Sequence, residues 1–374
     1  MTAPGEAARR KPVRRPTIKD IARRAGVSES AVSFALNDRP GVSPRTRARV
    51  RQVAEELGWQ ANSAARALSG ERAGAAGLVL ARPARTLGVE SFFLQLVSGI
   101  QEVFATRTTA LLLQVVEDLD AECALYRRWW AERRVDGVLV VDPRTDDPRP
   151  ALLTGLALPA VVIGGPAAPD APVPEPEPER GTGLRPPPAP PPLSTVWADD
   201  AGAMARILDH LHGLGHRRIA HVAGLPGLAH TERRIRSLRT EAALRGLGAH
   251  QIRSVTTDYS DAEGAEATRR VLDAAEPPTA IIYDNDVMAV AGASVAAGRG
   301  IPVPGELSIV AWDDSALCRV THPRLTALVR DIPGFGRLAA RELLTVLDGG
   351  PPRSVEGELP QLEARGSTGP CPAH

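Results

Sequence analysis

A chain of 374 residues has room for two or three domains, and with 43% hydrophobic residues it can bury large cores. No apolar run reaches 18 residues, which argues against a membrane-spanning helix. The basic stretch Arg9, Arg10, Lys11, Arg14 and Arg15 is followed by no apolar segment, so it does not read as a secretory signal, and the expected compartment is the cytoplasm. Cys123, Cys318 and Cys371 are scattered, without the spacing of a disulfide framework or a zinc site. The overall charge of +1 conceals an asymmetry: residues 1–72 hold 15 Lys+Arg against 7 Asp+Glu, a net of +8, which leaves −7 on the remainder. A basic head on an acidic body suits a head that docks on phosphate and a body that stays off it.

The first elements lie in TIKDIARRAGVSESAVSFALN, residues 17–37. Ile18, Ile21, Ala22 and Ala25 recur at i, i+3, i+4 and i+7, one apolar helical face. Thr17 is placed to cap this helix with Asp20 three residues on, and Gly26 suits the left-handed conformation that ends it. Ser28 caps a second helix, in which Val32, Ala35 and Leu36 repeat the start of the spacing. Two such helices across a Gly26-Val27-Ser28 turn form a helix-turn-helix, whose second helix can enter a DNA major groove. A solvated helical pair that binds a protein is the alternative. A third helix opens at Ser43-Pro44, a cap followed by proline at the first helical position. It carries Val50, Val53, Ala54 and Leu57 on one face and stops at Gly58. Together these make a headpiece of roughly 45 residues, near the lower limit for independent folding.

Beyond it, apolar runs at 77–81, 110–116, 137–141, 159–165, 218–224, 280–286 and 308–314 alternate with helical patterns at 94–107, 121–134, 200–214, 232–247, 262–275 and 287–299. Val/Ile/Leu runs without polar alternation predict strands buried on both faces, as in parallel sheets. The β-α alternation predicts a doubly wound α/β body, and the strand count implies two lobes. Ligands of such folds bind beyond the carboxyl ends of the strands, which here carry Asp142, Gly164, Asp199, Tyr259, Asp284, Asn285, Asp286 and Asp313. Residues 165–193 are proline-dominated. They are expected to form a disordered or polyproline-II insertion where the chain passes from the first lobe to the second.

Headpiece and body together resemble the LacI/GalR family of bacterial transcription regulators. The resemblance is carried by PTIKDIARRAGVSESAVSFALN, PGVSPRTRARVRQVAEELGWQANSAARALSG, HLHGLGHRRIAHVAG, YDNDVMAVA, IPVPGELSIVAWDDS, HPRLTAL and LEARGST, and it spans roughly residues 16–368 apart from the insertion. It implies an all-α helix-turn-helix headpiece on an α/β two-lobed core built like periplasmic sugar-binding proteins, with two doubly wound parallel sheets. It also implies a homodimer, double-stranded DNA with a palindromic operator as partner, and a small-molecule effector, a sugar or sugar derivative, that controls operator affinity. No cofactor, metal, membrane or enzymatic activity is expected. The rival functions are a soluble sugar-binding protein without a regulatory role and a sugar-acting enzyme. The implied organisation is a basic disordered arm (1–15), headpiece (16–61), hinge helix and linker (62–72), first lobe (73–164), insertion (165–193), second lobe (194–332), a helix and strand shared between the lobes (333–368) and a disordered tail (369–374).

By the same resemblance, base reading falls to Glu29, Ser30 and Phe34, with Ala31 and Ser33 beside them. Glu29 can accept from cytosine N4, and Ser30 can bond to several base edges. Phe34 departs from the family's usual arginine and can touch only a thymine methyl. Thr17, Ser28, Asn37, Thr46 and Asn62 are expected phosphate contacts, supported electrostatically by Arg23, Arg24, Arg45 and Arg47; each can equally be a cap or a solvated charge. The stretch from Asn62 to Leu68 is long enough for about two helical turns and is marginal alone. The resemblance makes it a minor-groove hinge helix, with Ala65 on it and Leu68 as a wedge. For the effector it points to Arg234 and Asp286, with Asn285 supporting the strand end and Ser237 a mild departure. Phe92, Phe93 and Tyr259 are aromatic pocket candidates, for which core packing is the alternative. His210 and His212 are two apart on a helix and do not face each other, so these two and His216 do not form a metal set. The tail 351–374 has no heptad and should not form a tetramerising coiled coil.

Overall fold

The computed structural model describes residues 16–59, 72–82, 90–165 and 193–372, in two compact units that divide between Glu71 and Arg72. The expected arm 1–15, the hinge residues Asn62, Ala65 and Leu68, and residues 166–192 of the insertion lie outside the described residues.

The first unit is three helices: α1 (Ile18–Ala25), α2 (Glu29–Leu36) and α3 (Pro44–Glu56). Each start is fixed by its cap. The Asp20 carboxylate accepts from the Thr17 amide at 2.9 Å, Ser28 Oγ accepts from the Ala31 amide at 3.1 Å, and Ser43 Oγ accepts from the Thr46 amide at 3.2 Å. Gly26 takes φ 71°, which ends α1 in the left-handed region. Ile21, Ala22, Ala25, Val32, Ala35, Val50, Val53 and Ala54 form the core, with Trp59 packed against it. Ile18, at the first position of α1, remains exposed.

The second unit contains two six-stranded sheets. The chain runs β1 (Ala75–Ala81), α4 (Ser91–Thr106), β2 (Ala110–Val116), α5 (Leu119–Ala131), β3 (Gly137–Val140), α6 (Arg149–Gly155), β4 (Ala160–Ile163), β5 (Ser194–Trp197), α7 (Asp200–Gly213), β6 (Ile219–Ala223), α8 (Ala229–Leu244), β7 (Ile252–Thr256), α9 (Asp261–Leu272), β8 (Ala280–Tyr283), α10 (Asp286–Gly298), β9 (Ser308–Ala311), α11 (Ala316–Val320), β10 (Thr326–Val329), α12 (Ile332–Leu347), β11 (Ser354–Glu356) and β12 (Gln361–Glu363). The first sheet has the order β11-β5-β4-β3-β1-β2 and is all parallel. The second has the order β12-β10-β9-β8-β6-β7, and its last strand, β12, is antiparallel to β10.

Helices cover both faces of each sheet, so β1, β3, β4, β8 and β9 are almost wholly apolar and buried. On one face of the first sheet, α4 and α12 approach so closely that a Cβ at Gly99 would collide with the Pro333 carbonyl, and one at Gly336 with the Leu96 carbonyl. These two helices are therefore joined backbone to backbone.

Three expectations are corrected. Ser194–Trp197, assigned to the second lobe, pairs with β4 in the first sheet. The insertion therefore joins two neighbouring strands of one sheet. The lobes are connected instead at residues 198–199, 330–331 and 357–360. Finally, Gly369 to Cys371, expected as part of a disordered tail, is tied down. The Gly369 amide donates to Ser308 Oγ at 3.1 Å and the Cys371 amide to the Leu214 carbonyl at 2.8 Å, while the buried His216 imidazole lies 2.9 Å from Ser308 Oγ. The registry of the sheets depends on pairings distant in sequence, which local periodicity does not specify.

Candidate functional site

The headpiece presents Glu29, Ser30, Phe34 and Asn37 exposed along α2, with Ala31 and Ser33 half-buried beside them. Glu29 is in the first turn, where the helix dipole favours a carboxylate. Thr17, Ser28 and Thr46 each lie at a helix start. Thr17 Oγ1 donates to Asp20 at 2.7 Å, and Ser28 Oγ is engaged by its cap. Arg47 departs from its expected role as electrostatic support. It donates to the Arg39 carbonyl and Asp38, both at 2.8 Å, and to the Phe34 and Ala35 carbonyls at 3.4 Å, so it closes the C-terminus of α2. Arg23 pairs with Asp20 and Arg24 loosely with Glu56, whereas Arg45 has no ion pair among the described residues.

In the second unit, Phe92, Phe93, Arg234, Tyr259, Asn285 and Asp286 come together on one cleft between the lobes, together with Arg82, Glu90, Asp142, Asp200, His230, Arg233, Asp284, Asp313 and Arg330, which sequence reading did not name as ligand residues. The cavity left between these side chains is about 90 Å³, small beside the roughly 300–1,000 Å³ of ordinary ligand pockets.

The second-lobe wall is a fixed charge lattice. Arg234 is 5% exposed. It reaches Asp200 and Asp284 at 3.3 Å each and stacks 4.1 Å over the Trp312 ring. Burial works against its charge, but Asp284 and then Asp200 hold it above the ordinary arginine range. Burial likewise opposes ionisation of Asp284, yet Arg234 and then His221 keep its carboxyl well below the usual range. The His221 Nε2 lies 2.9 Å from Asp284 Oδ1, and the Gly224 amide donates to Oδ2 at 2.8 Å.

Asn285 caps α10 through the Met288 amide at 2.8 Å and donates to the Tyr259 carbonyl at 3.0 Å and to Glu90 at 3.2 Å, so its polar atoms bind the scaffold together. Asp286 is different. Its Oδ1 accepts from the Val287 amide at 2.9 Å and the Ser315 hydroxyl helps to steady the carboxylate, while the buried Oδ2 has no partner within hydrogen-bond distance among the described residues. Burial raises its pKa. Tyr259 has φ 69°, and its hydroxyl lies 2.8 Å from His230 Nε2. Its ring lies where a Cβ at Gly224 would be, so only glycine fits there.

The first-lobe wall is built around Arg82. Its Nε donates to Asp142 at 2.6 Å, its Nη1 is 3.5 Å from Glu90, and its guanidinium lies between the Phe93 and Tyr259 rings, at 5.3 and 4.8 Å from their centres. Burial pushes Glu90 up to about 7 despite Arg82, and burial, then Arg234, pushes His230 down to about 4. Asp142, itself at φ 52°, is positioned by Arg149, which donates to the Val141 and Asp142 carbonyls at 2.9 and 2.8 Å while paired with buried Glu122 at 3.0 Å. The walls touch through backbone: the Ala229 amide donates to the Pro143 carbonyl at 2.8 Å and the Thr145 amide to the Gly227 carbonyl at 3.2 Å. Arg233 reaches the Gly164 carbonyl at 3.0 Å.

His210 and His216 bond to different hydroxyls, Thr368 and Thr279. No helix among the described residues is long and apolar enough to cross a membrane.

Comparison with known proteins gives a consistent assignment. Residues 17–62 match the model of bacterial regulatory proteins of the lacI family, and residues 208–368 match a periplasmic binding protein-like domain. The transcriptional regulator MalR of Streptomyces coelicolor is 30% identical over 369 residues, covering 95% of this chain and 97% of MalR. A LacI family transcriptional regulator from Bifidobacterium animalis is 34% identical with a TM-score of 0.67; the match covers 80% of this chain and all of that one. The transcriptional regulator CelR–cellobiose complex is 27% identical with a TM-score of 0.68, covering 94% and 100%. With a DNA-reading helix pair at one end and a two-lobed cleft in the body, this chain belongs to the LacI family of helix-turn-helix transcriptional regulators.

Proposed function

We propose that the protein acts as a homodimeric repressor on a two-fold symmetric operator, and that a neutral sugar or sugar derivative held in the cleft sets its grip on DNA. The observation that carries the effector reading is Asp286 Oδ2, a buried acceptor with no hydrogen-bond partner among the described residues, on the same cleft as Arg234. A hydroxyl that donates to it would relieve a desolvation penalty of about 1–3 kcal/mol. Charge favours a neutral ligand. Arg82, Arg233, Arg234 and Arg330 are each already paired with a cleft carboxylate, so an anion would meet compensated cations and a surplus of acids. CelR, seen with cellobiose, is a relative whose ligand fits this class. The ligand is bound and released unchanged in this reading.

On DNA, Glu29, Ser30 and Phe34 would face base edges, while Thr17, Ser28, Asn37, Thr46 and Asn62 would contact phosphate. Ala65 and Leu68 would belong to a hinge helix over 62–68 that orders on the operator. Coupling in such systems is about 1–3 kcal/mol, so sugar should change operator affinity roughly 5- to 150-fold. Fluorescence anisotropy on inverted repeats beside the coding region, with and without neutral sugars, tests this. Tight binding whose logarithm falls by about 0.9 per neutralised phosphate with log salt is expected. A full-length dimer that ignores every such repeat at low salt would refute the reading.

A further inference from the structure

The cleft does not end at its aromatic wall. A second chamber of about 240 Å³ continues from it, sharing Phe92, Ala198, Arg330 and Phe335 with the first and lined beyond them by the first turns of α12 and by Glu358 and Pro360. Its walls include residues from all three connections between the lobes: Ala198, Arg330 with Asp331, and Glu358 with Pro360. Phe335 is held at the boundary because its ring packs on Gly357, where a Cβ would lie 2.8 Å from Cδ2. Arg330 stands at the junction, its guanidinium 5.3 Å from the Phe92 ring centre and paired with Asp313, while its buried Nε has no hydrogen-bond partner among the described residues.

The charges of the chamber are of two kinds. Arg337 is committed, at 3.0 Å to both Glu102 and Asp331. Arg341 and Glu358 are exposed, and neither has an ion pair among the described residues. An uncommitted guanidinium fork and an uncommitted carboxylate lining one chamber suit hydroxyls, which accept from one and donate to the other. A phosphate or carboxylate would satisfy Arg341 but face Glu358 and Asp331. Aromatic and aliphatic walls from Phe92, Phe335 and Leu338 complete a surface suited to a sugar ring.

We infer that this chamber is a second subsite, and that the effector is an elongated neutral disaccharide or longer saccharide: one ring lies against Arg234 and Asp286, and the next passes Phe92 and Arg330 to lie between Arg341 and Glu358. This rests on the reading of the cleft as a sugar site. A ring there touches every connection between the lobes and is placed to report their relative angle.

Calorimetry on the full chain tests it, with glucose, galactose and mannose against cellobiose, maltose and lactose, on the wild type and on Arg341→Ala and Glu358→Gln. Both substituted residues are exposed, and an unchanged thermal transition checks folding. The expected result is a disaccharide that binds more tightly than its monosaccharide, with each substitution weakening the disaccharide about tenfold or more and leaving the monosaccharide unchanged. Equal affinity for mono- and disaccharide, or substitutions without effect, would overturn the subsite and leave the sugar reading standing. No binding of any of these sugars to the wild type would overturn both.

Discussion

The two walls of the cleft solve the problem of buried charge differently. On the second lobe, Arg234 is clamped between two carboxylates and a tryptophan face, and Asp284 is held ionised by Arg234, His221 and a backbone amide. On the first lobe, Arg82 is paired with Asp142, which is partly reachable by solvent, and with Glu90, which burial leaves poised between its charged and neutral forms near pH 7. One wall is a set of fixed ions; the other can exchange a proton or swing a side chain aside. The second lobe thus forms a preorganised platform, and the first is the adjustable side. Arg82, between two aromatic rings, fills space that a ligand would need.

Removing the central arginine of each wall should separate the two most strongly. Arg234→Ala leaves Asp284 buried with only His221 opposite it and should cost about 3–5 kcal/mol in urea unfolding of the α/β unit. Arg82→Ala should cost less, about 1–2 kcal/mol, because Glu90 can take up a proton instead. Equal losses would show that the walls are not different in kind.

The next effect lies in pH. Between pH 4.5 and about 7 the unfolded chain ionises Glu90 while the folded chain keeps its proton, so the Glu90 contribution falls as pH rises, by up to about 3 kcal/mol. His230 acts in reverse: its folded pKa is about 4 against 6.5 unfolded, so stability is lost as pH falls through that window, by a smaller amount since it is half-buried. In the wild type the two oppose each other, and Glu90 and His230 together should leave only a shallow loss of stability as pH rises. Glu90→Gln should become more stable as pH rises from 4 to 6.5, and His230→Asn less stable from 4.5 to 7. Parallel slopes for the two variants would contradict these assignments.

A further effect is steric. Gly224→Ala must displace the Tyr259 ring, at about 1–3 kcal/mol. It should also weaken sugar binding through the Arg82 stack; a full-stability variant would mean that the second-lobe wall is less rigid than described.

Local features were legible from sequence. Caps at Thr17, Ser28 and Ser43 act within three residues, and α1 to α3 form where periodicity places them. Buried strands such as β1 and β8 announce themselves by apolar runs, whereas the apolar run of β2, expected to be buried on both faces, belongs to a half-exposed edge strand. The half-exposed β7, with sequence IRSVT, does not, and neither do the short β11 and β12. β5 was legible to neither period nor position, because its neighbours β4 and β11 flank it only in space. Arg234 and Asp286 were reachable through resemblance. Arg82, Glu90 and His230 were not, because their partners come from distant strands and from the opposite lobe. Asp142 and Asp284 carry a weaker signal, an acidic residue just past the carboxyl end of β3 and of β8, which places them near a ligand without assigning a role. Glu122 and Arg149, buried together 27 positions apart, offered none.

The first sheet is completed by β11 and its face by α12, both near the C-terminus, whereas the headpiece is complete by residue 59. Domains tend to fold in the order in which they leave the ribosome. A translation product that stops before about residue 356 would carry a finished DNA-reading module attached to a half-built sensor, able to occupy phosphate but deaf to metabolite. Interrupted synthesis, not only mutation, is therefore a route to an unregulated form of this protein.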